Sequence, residues 1–239
     1  MKYSIEDYYY ACYNNVIDMC KDRGYTTKNN VDFDSLKLDR TDEKFESHQQ
    51  DPNILDIMPG TIIDNNDIPV YVTFIEQGRA NQKFLTTILD KIIEKFKNKF
   101  NISNNSSIVQ NRKALFENLH CIIIHSNELK SGSQLNKNFE LFHTHKFFLN
   151  ITKHSIVPQH IMLTPEEKKK IFETKNIGAS TCSKILTDDP VNLYYNGQPG
   201  DVYKIIRESK SIYFRIVVNG NPFPFASQFK RLKTQEDEQ

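Results

Sequence analysis

The chain reads as two α/β units of unequal size, a larger layer over residues 1–150 and a small mixed α/β unit over residues 151–218, with a tail over residues 219–239. Two observations carry that reading. First, the run VYVTFI at 70–75 and the run CIII at 121–124 flank an apolar stripe at helical spacing between residues 83 and 100. Alternation of strand, helix and strand is the signature of an α/β layer. Second, the texture changes near Asn150, beyond which short elements with clear caps and turns follow one another. A length of 239 residues accommodates one large or two small domains.

Residues 5–23 place Ile5, Tyr8, Tyr9, Cys12, Val16, Met19 and Cys20 at steps of three and four, which predicts an amphipathic helix. Ser4 is placed to cap it and Gly24 to stop it. Residues 28–68 are polar, carry Pro52 and Pro59, and predict loops with short elements. The run 70–75 is β-branched and aromatic and predicts a strand. Leu85, Ile88, Leu89, Ile92, Ile93 and Phe96 form one stripe with lysines outside it, so residues 83–100 predict a helix. The fully apolar run 121–124 fits a buried strand, and residues 139–149 a further strand leading out of the unit.

In the second unit, Thr164-Pro165-Glu166-Glu167 has the form of a capping box with proline in the first helical turn. Asp189-Pro190 opens another helix, and Gly197 is its expected stop. Residues 202–207 and 212–218 alternate as two strands around the turn 208–211.

Charge excludes a simple polyanion binder. Residues 1–150 hold 18 basic and 20 acidic side chains, and residues 151–239 hold 13 and 10, for a net +1 over the chain. A DNA contact would have to come from a local patch rather than a basic stripe. The cysteines Cys12, Cys20, Cys121 and Cys182 form no C-x-x-C pair, which argues against a zinc knuckle and for buried thiols in a reducing compartment. No apolar run reaches the length of a membrane span, and the N-terminus lacks the apolar core of a signal peptide.

Five blocks occur in order in the last third. They are His154-Ser155-Ile156-Val157-Pro158-Gln159-His160, Leu163 to Lys168, Asp189-Pro190-Val191 with Tyr194 and Gly197, Gly200 to Arg207, and Ser209 with Tyr213 to Val217. Together they resemble the H-x-L-V-P-K-H, L-S-x-E-E-K, D-P-V-A-R-Y-x-G, G-D-V-V-K-I-I-R and Y-R-I-V blocks of the fifth shared subunit of eukaryotic-type, DNA-dependent RNA polymerases, a family with archaeal members too. Lys21-Asp22-Arg23-Gly24-Tyr25 is similar to the K-D-R-G-Y of the eukaryotic members, whose N-terminal domain the archaeal ones lack. Three features depart from the pattern. The Q-L-P segment before Asp189 is absent, the hairpin tip is shortened, and about 21 residues follow the usual end of the family.

The resemblance implies a non-catalytic subunit without a cofactor, in the nucleus or, for a viral member, in a viral factory or virion. It implies an N-terminal jaw with a restriction-endonuclease-like three-layer layout beside downstream DNA. It also implies a C-terminal assembly domain on the largest polymerase subunit, near other small subunits. The interface residues it implies are His154, Pro158, His160, Asp189, Pro190, Lys204, Arg207, Tyr213 and Arg215. A cationic, aromatic face formed by Lys204, Arg207, Tyr213 and Arg215 is expected. The jaw loop after residues 121–124 is the implied DNA contact, with Lys130, Ser131 and Ser133 as donors to phosphate.

Rival readings rest on three residue groups. Glu128-Leu129-Lys130 spells the acid-x-lysine of a metal-dependent nuclease, with Asp64 and Asp67 as the nearest acids before the first strand. His143 and His145, two apart, fit either a zinc pair or a solvated face. The assembly unit could also belong to a stand-alone transcription regulator.

Overall fold

A five-stranded sheet organises the residues up to Asn150 and a four-stranded sheet those after it. The computed structural model describes residues 5–39, 56–75, 82–102, 105, 107–125, 138–175 and 177–220. The chain divides into compact units at Met1–Asn150 and Ile151–Gln239.

In the first unit α1 (Ile5–Asp22) is followed by β1 (Thr26–Thr27), with Gly24 at φ 75° turning the chain between them. That left-handed conformation is nearly cost-free only for glycine. Then come β2 (Ile57–Ile63), β3 (Pro69–Ile75), α2 (Gln82–Phe96), α3 (Ile108–Asn118), β4 (His120–His125), β5 (Phe139–His143) and the single turn α4 (His145–Phe148). The sheet order is β1-β2-β3-β4-β5. β1, β2 and β3 pair antiparallel, whereas β3, β4 and β5 run parallel. The crossover from β3 to β4 carries α2 and α3, as a parallel pair requires. Both helices pack on the face that shows Tyr71, Cys121, Ile123 and Phe139. Phe74 lies on the other face and meets Tyr9 and Tyr13 of α1. Helices therefore cover both faces, which is why β4 is buried along its whole length.

Three elements depart from expectation. β2 lies in the stretch expected to be loops. Its sequence IMPGTII hides a strand behind Pro59 and Gly60. Pairing with β3 shifts register between Ile57 and Ile62, and Gly60 takes φ 93° there. β1 covers only the end of β2 at Ile62 and Ile63, so Pro59 costs no ladder bond on that side. α3 has no strong apolar stripe to reveal it: Leu115 is buried, while Ile108 and Val109 are exposed. Its start is set by Ser107, whose hydroxyl accepts from Gln110 N at 3.3 Å. Residues 139–149 form β5 and then α4 rather than one strand. α4 is held against α1 by Asn15 Nδ2 donating to Phe147 O at 2.6 Å and by Tyr8 stacked on Phe148.

In the second unit β6 (Gln159–Met162), α5 (Pro165–Lys175), β7 (Ser183–Leu186), α6 (Pro190–Tyr195), β8 (Val202–Ile206) and β9 (Ile212–Val218) form a sheet of order β6-β8-β9-β7. The capping box closes reciprocally: Thr164 N donates to Glu167 Oε2 at 2.9 Å and Glu167 N to Thr164 Oγ1 at 3.2 Å. Asp189 caps α6 by accepting from Val191 N at 2.9 Å.

The end of α6 differs from expectation. Asn196, not Gly197, takes the left-handed turn, at φ 54°. Gly197 is required for space instead, because a Cβ there would collide with Asn192 Oδ1 and Tyr203 Oη. Those two atoms belong to a buried network in which Tyr203 donates to Asn192 Oδ1 at 3.0 Å and Asn192 Nδ2 donates to Thr187 O and Gly197 O.

Candidate interface of the second unit

Side chains of directly paired antiparallel residues share a face. The register Tyr203↔Arg215 and Ile205↔Tyr213 in β8 and β9, with His160↔Ile205 from β6, puts His160, Tyr203, Ile205, Tyr213 and Arg215 on one side. Arg207, two residues beyond Ile205, ends on the same side, and its guanidinium lies 4.3 Å from the centre of the Tyr213 ring. Lys204 pairs with Phe214 and belongs to the opposite face, where Phe214 packs beside Phe172 of α5. The expected cationic face is therefore Arg207, Tyr213 and Arg215, without Lys204. The period-two alternation of a strand separates 204 from 207 and 213 from 214.

The segment 154–160 forms the other wall of an open groove of about 1250 Å³, floored by Ile205, Tyr213 and Arg215. Its shape starts at Pro158, which precedes β6 and whose carbonyl accepts from His160 Nδ1 at 2.7 Å. A carbonyl only accepts, so His160 carries its proton on Nδ1. Burial pushes His160 below the ordinary histidine value, against the Pro158 bond and Asp189, which raise it. The neutral ring packs edge-on to Tyr203 at 5.9 Å. His154 is exposed and accepts from Ile156 N at 3.3 Å, bending the wall outward. That bend leaves Ile156 83% exposed.

Six of the nine expected interface residues thus meet in one groove: His154, Pro158, His160, Arg207, Tyr213 and Arg215. Asp189 instead lines an adjoining hollow of about 500 Å³ that shares Arg215. Pro190 sits in the first turn of α6 behind Asp189. Ile156 is a prominent groove residue that sequence reasoning did not single out. The apolar run Ile156-Val157-Pro158 after the polar pair His154-Ser155 was the available signal.

The expected DNA contacts Lys130, Ser131 and Ser133 lie outside the described residues, as do Glu128 and the tail from residue 221. Asp64, one of the two acids before β3 in the nuclease reading, is already committed. Its Oδ1 accepts from Asn66 N and Ile68 N, and its Oδ2 lies 2.9 Å from His120 Nδ1. His143 and His145 face each other with Nδ1 atoms 2.6 Å apart. No group of three or more metal-ligating side chains occurs among the described residues. No described helix is long and apolar enough to cross a membrane.

Residues 149–217 match the family described as RNA polymerase Rpb5, C-terminal domain. A Dictyostelium discoideum protein named "DNA-directed RNA polymerases I, II, and III subunit rpabc1" is 40% identical over 72 residues, which are 30% of this chain and 36% of that relative. The Caenorhabditis elegans RPABC1 subunit is 29% identical over 217 residues, covering 85% of this chain and 92% of the relative. Its Caenorhabditis briggsae counterpart is 36% identical over 77 residues, again 30% of this chain and 36% of the relative.

Proposed function

From the match of residues 149–217 to the Rpb5 C-terminal domain we propose that the protein is a non-catalytic subunit of a DNA-dependent RNA polymerase. The nucleotidyl transfer belongs to other chains of that complex. Residues 151–218 are its assembly domain and dock on the largest subunit through the groove of His154, Pro158, His160, Arg207, Tyr213 and Arg215. Residues 1–150 are the jaw, with the restriction-endonuclease-like arrangement, and the loop with Lys130, Ser131 and Ser133 faces downstream duplex DNA. A nuclear location accompanies that role in a cell.

The observation that carries the proposal is the convergence of three of the five family-like sequence blocks, those at 154–160, 200–207 and 209–217, on one open surface. Side chains from β6, β8, β9 and the 154–158 wall meet there, although residues 154 and 215 stand far apart in the chain. The described residues show one of the two candidate acids of a nuclease, Asp64, bound to His120 and two backbone amides. That engagement favours the subunit over the enzyme.

The test is recovery of the full chain with the two large polymerase subunits through a high-salt wash. Stoichiometric recovery is expected, and Arg207→Glu releases the chain. Lys130→Glu leaves recovery intact and weakens retention of downstream DNA. Substoichiometric, salt-labile recovery of the unaltered chain favours a stand-alone regulator instead.

A further inference from the structure

We propose that the groove between residues 154–160 and the β8–β9 hairpin receives an extended, acidic segment of a partner protein, with alternate carboxylates on Arg207 and Arg215 and an apolar side chain against Ile156. This rests on the docking reading above and specifies the chemistry of the occupant. Charge complementarity carries it. Arg207 and Arg215 are the permanent cations among the lining residues, and Glu208 on the rim is the one acid. Tyr213 lies between them on β9, two residues from Arg215, with Arg207 stacked on its ring. The ring contact holds the guanidinium in place, and a guanidinium so held can still take a two-bonded carboxylate contact. The Arg207 backbone bonds to Ser211, but its guanidinium reaches back over Tyr213, which is two positions, about 7 Å, from Arg215 on the same face. An extended segment with acids at alternate positions has the matching repeat.

His160 supplies no third cation, because burial holds it below the ordinary histidine value and its Nδ1 proton is committed to Pro158 O. The other wall is apolar, with Ile156 83% exposed beside Val157 and Pro158. A nucleic-acid backbone wants a run of cations and no aliphatic wall. A mixed peptide wants both features present here.

The probe is an acetylated peptide of alternating glutamate and valine, titrated into the full chain. Binding is expected to weaken about tenfold for each arginine changed in Arg207→Gln and Arg215→Gln, and to fall with added salt. A peptide with lysine in place of glutamate is expected not to bind. Equal affinity of the original chain and the double glutamine variant overturns the proposal, as does displacement of the peptide by a short DNA duplex at lower concentration. Recovery with the large polymerase subunits separates the two levels. Loss in Ile156→Ser with full, salt-resistant recovery of the double glutamine variant keeps the docking site and removes the acidic occupant. Full recovery of all variants removes both.

Discussion

Arg23 and Glu140 lie 117 residues apart and close a two-bonded ion pair inside the first unit, with N–O distances of 2.6 and 2.7 Å and almost no solvent access to either side chain. The pair joins the turn after α1 to β5. His120 on β4 extends it, with Nε2 2.8 Å from Glu140 Oε1 and Nδ1 2.9 Å from Asp64 Oδ2 in the β2–β3 turn. Asn65 Nδ2 closes the loop by donating to Arg23 O at 3.0 Å. One guanidinium and two carboxylates share this buried network, with Arg23 on Glu140 and His120 between Glu140 and Asp64. The proton on His120 brings the set to neutrality.

Removing one member of the pair should cost far more than removing both. Arg23→Ala leaves the Glu140 carboxylate buried without its cation, and a loss of about 3–5 kcal/mol is expected. The double variant Arg23→Met with Glu140→Gln should lose less than the two single changes together. Chemical denaturation measures the loss, and amide exchange in β4 and β5 shows that it falls in the first unit. A cost under about 1 kcal/mol for Arg23→Ala would mean that the pair does not hold these elements together.

The same network sets a pH window. Burial works to lower the His120 pKa, but the carboxylates of Asp64 and Glu140 on its two nitrogens outweigh it, and the value is raised above the ordinary 6.5. A raised folded value contributes stability in full below the unfolded pKa and loses it as pH climbs through the folded one. For Asp64 and Glu140 burial raises the pKa, but their ionic and hydrogen-bond partners prevail and both values end up lowered. Their contribution is present above the ordinary carboxylate range and lost as pH falls through the folded values. The first unit should therefore be most stable between the ordinary carboxylate and histidine values. His120→Gln should flatten the alkaline side of a stability-against-pH curve, and an unchanged slope would place the alkaline loss elsewhere.

How much of this was legible in the sequence depends on how local each signal was. α1 and α2 announce themselves by periodicity, β3 and β4 by their β-branched, aromatic and apolar runs, and the cap at Thr164 by four adjacent residues. The Arg23–Glu140 pair does not. Lys21 to Tyr25 stood out as a motif, yet Glu140 sits in FELFH, a run that reads as apolar strand, and only the parallel pairing of β4 with β5 brings it beside His120. β2 was hidden because Pro59 and Gly60 interrupt its pattern, and α3 because it buries little. For the groove, the sequence supplied Arg207, Tyr213 and Arg215 but misplaced Lys204. Strand parity, fixed by the β8–β9 register, decides which side a residue takes.

Gly197→Ala should destabilise the second unit by about 1–3 kcal/mol, because the new Cβ meets Asn192 and Tyr203, both buried. Tyr203→Phe removes only the hydroxyl bond to Asn192 and should cost less. Thermal unfolding of the two variants checks the order. The reverse order would show that the space beside Gly197 is easily opened.

Cys12 and Cys20 are buried, and burial pushes both thiols up to about 12. Cys121 is raised as well, for the same reason. A thiolate is the reactive form, so these thiols should resist a disulfide reagent in the native chain and react on unfolding. Mass spectrometry after timed labelling gives the answer, and rapid native labelling of Cys12 or Cys20 would contradict the packing of α1.

The most direct measurement of the central claim is recovery of the full chain with the two large polymerase subunits, comparing the unaltered chain with Arg207→Glu. The expected result is stoichiometric, salt-resistant recovery that is lost in the variant while the variant's own folding is unchanged. Equal recovery of both, or no stoichiometric recovery of the unaltered chain, would contradict assembly through this groove.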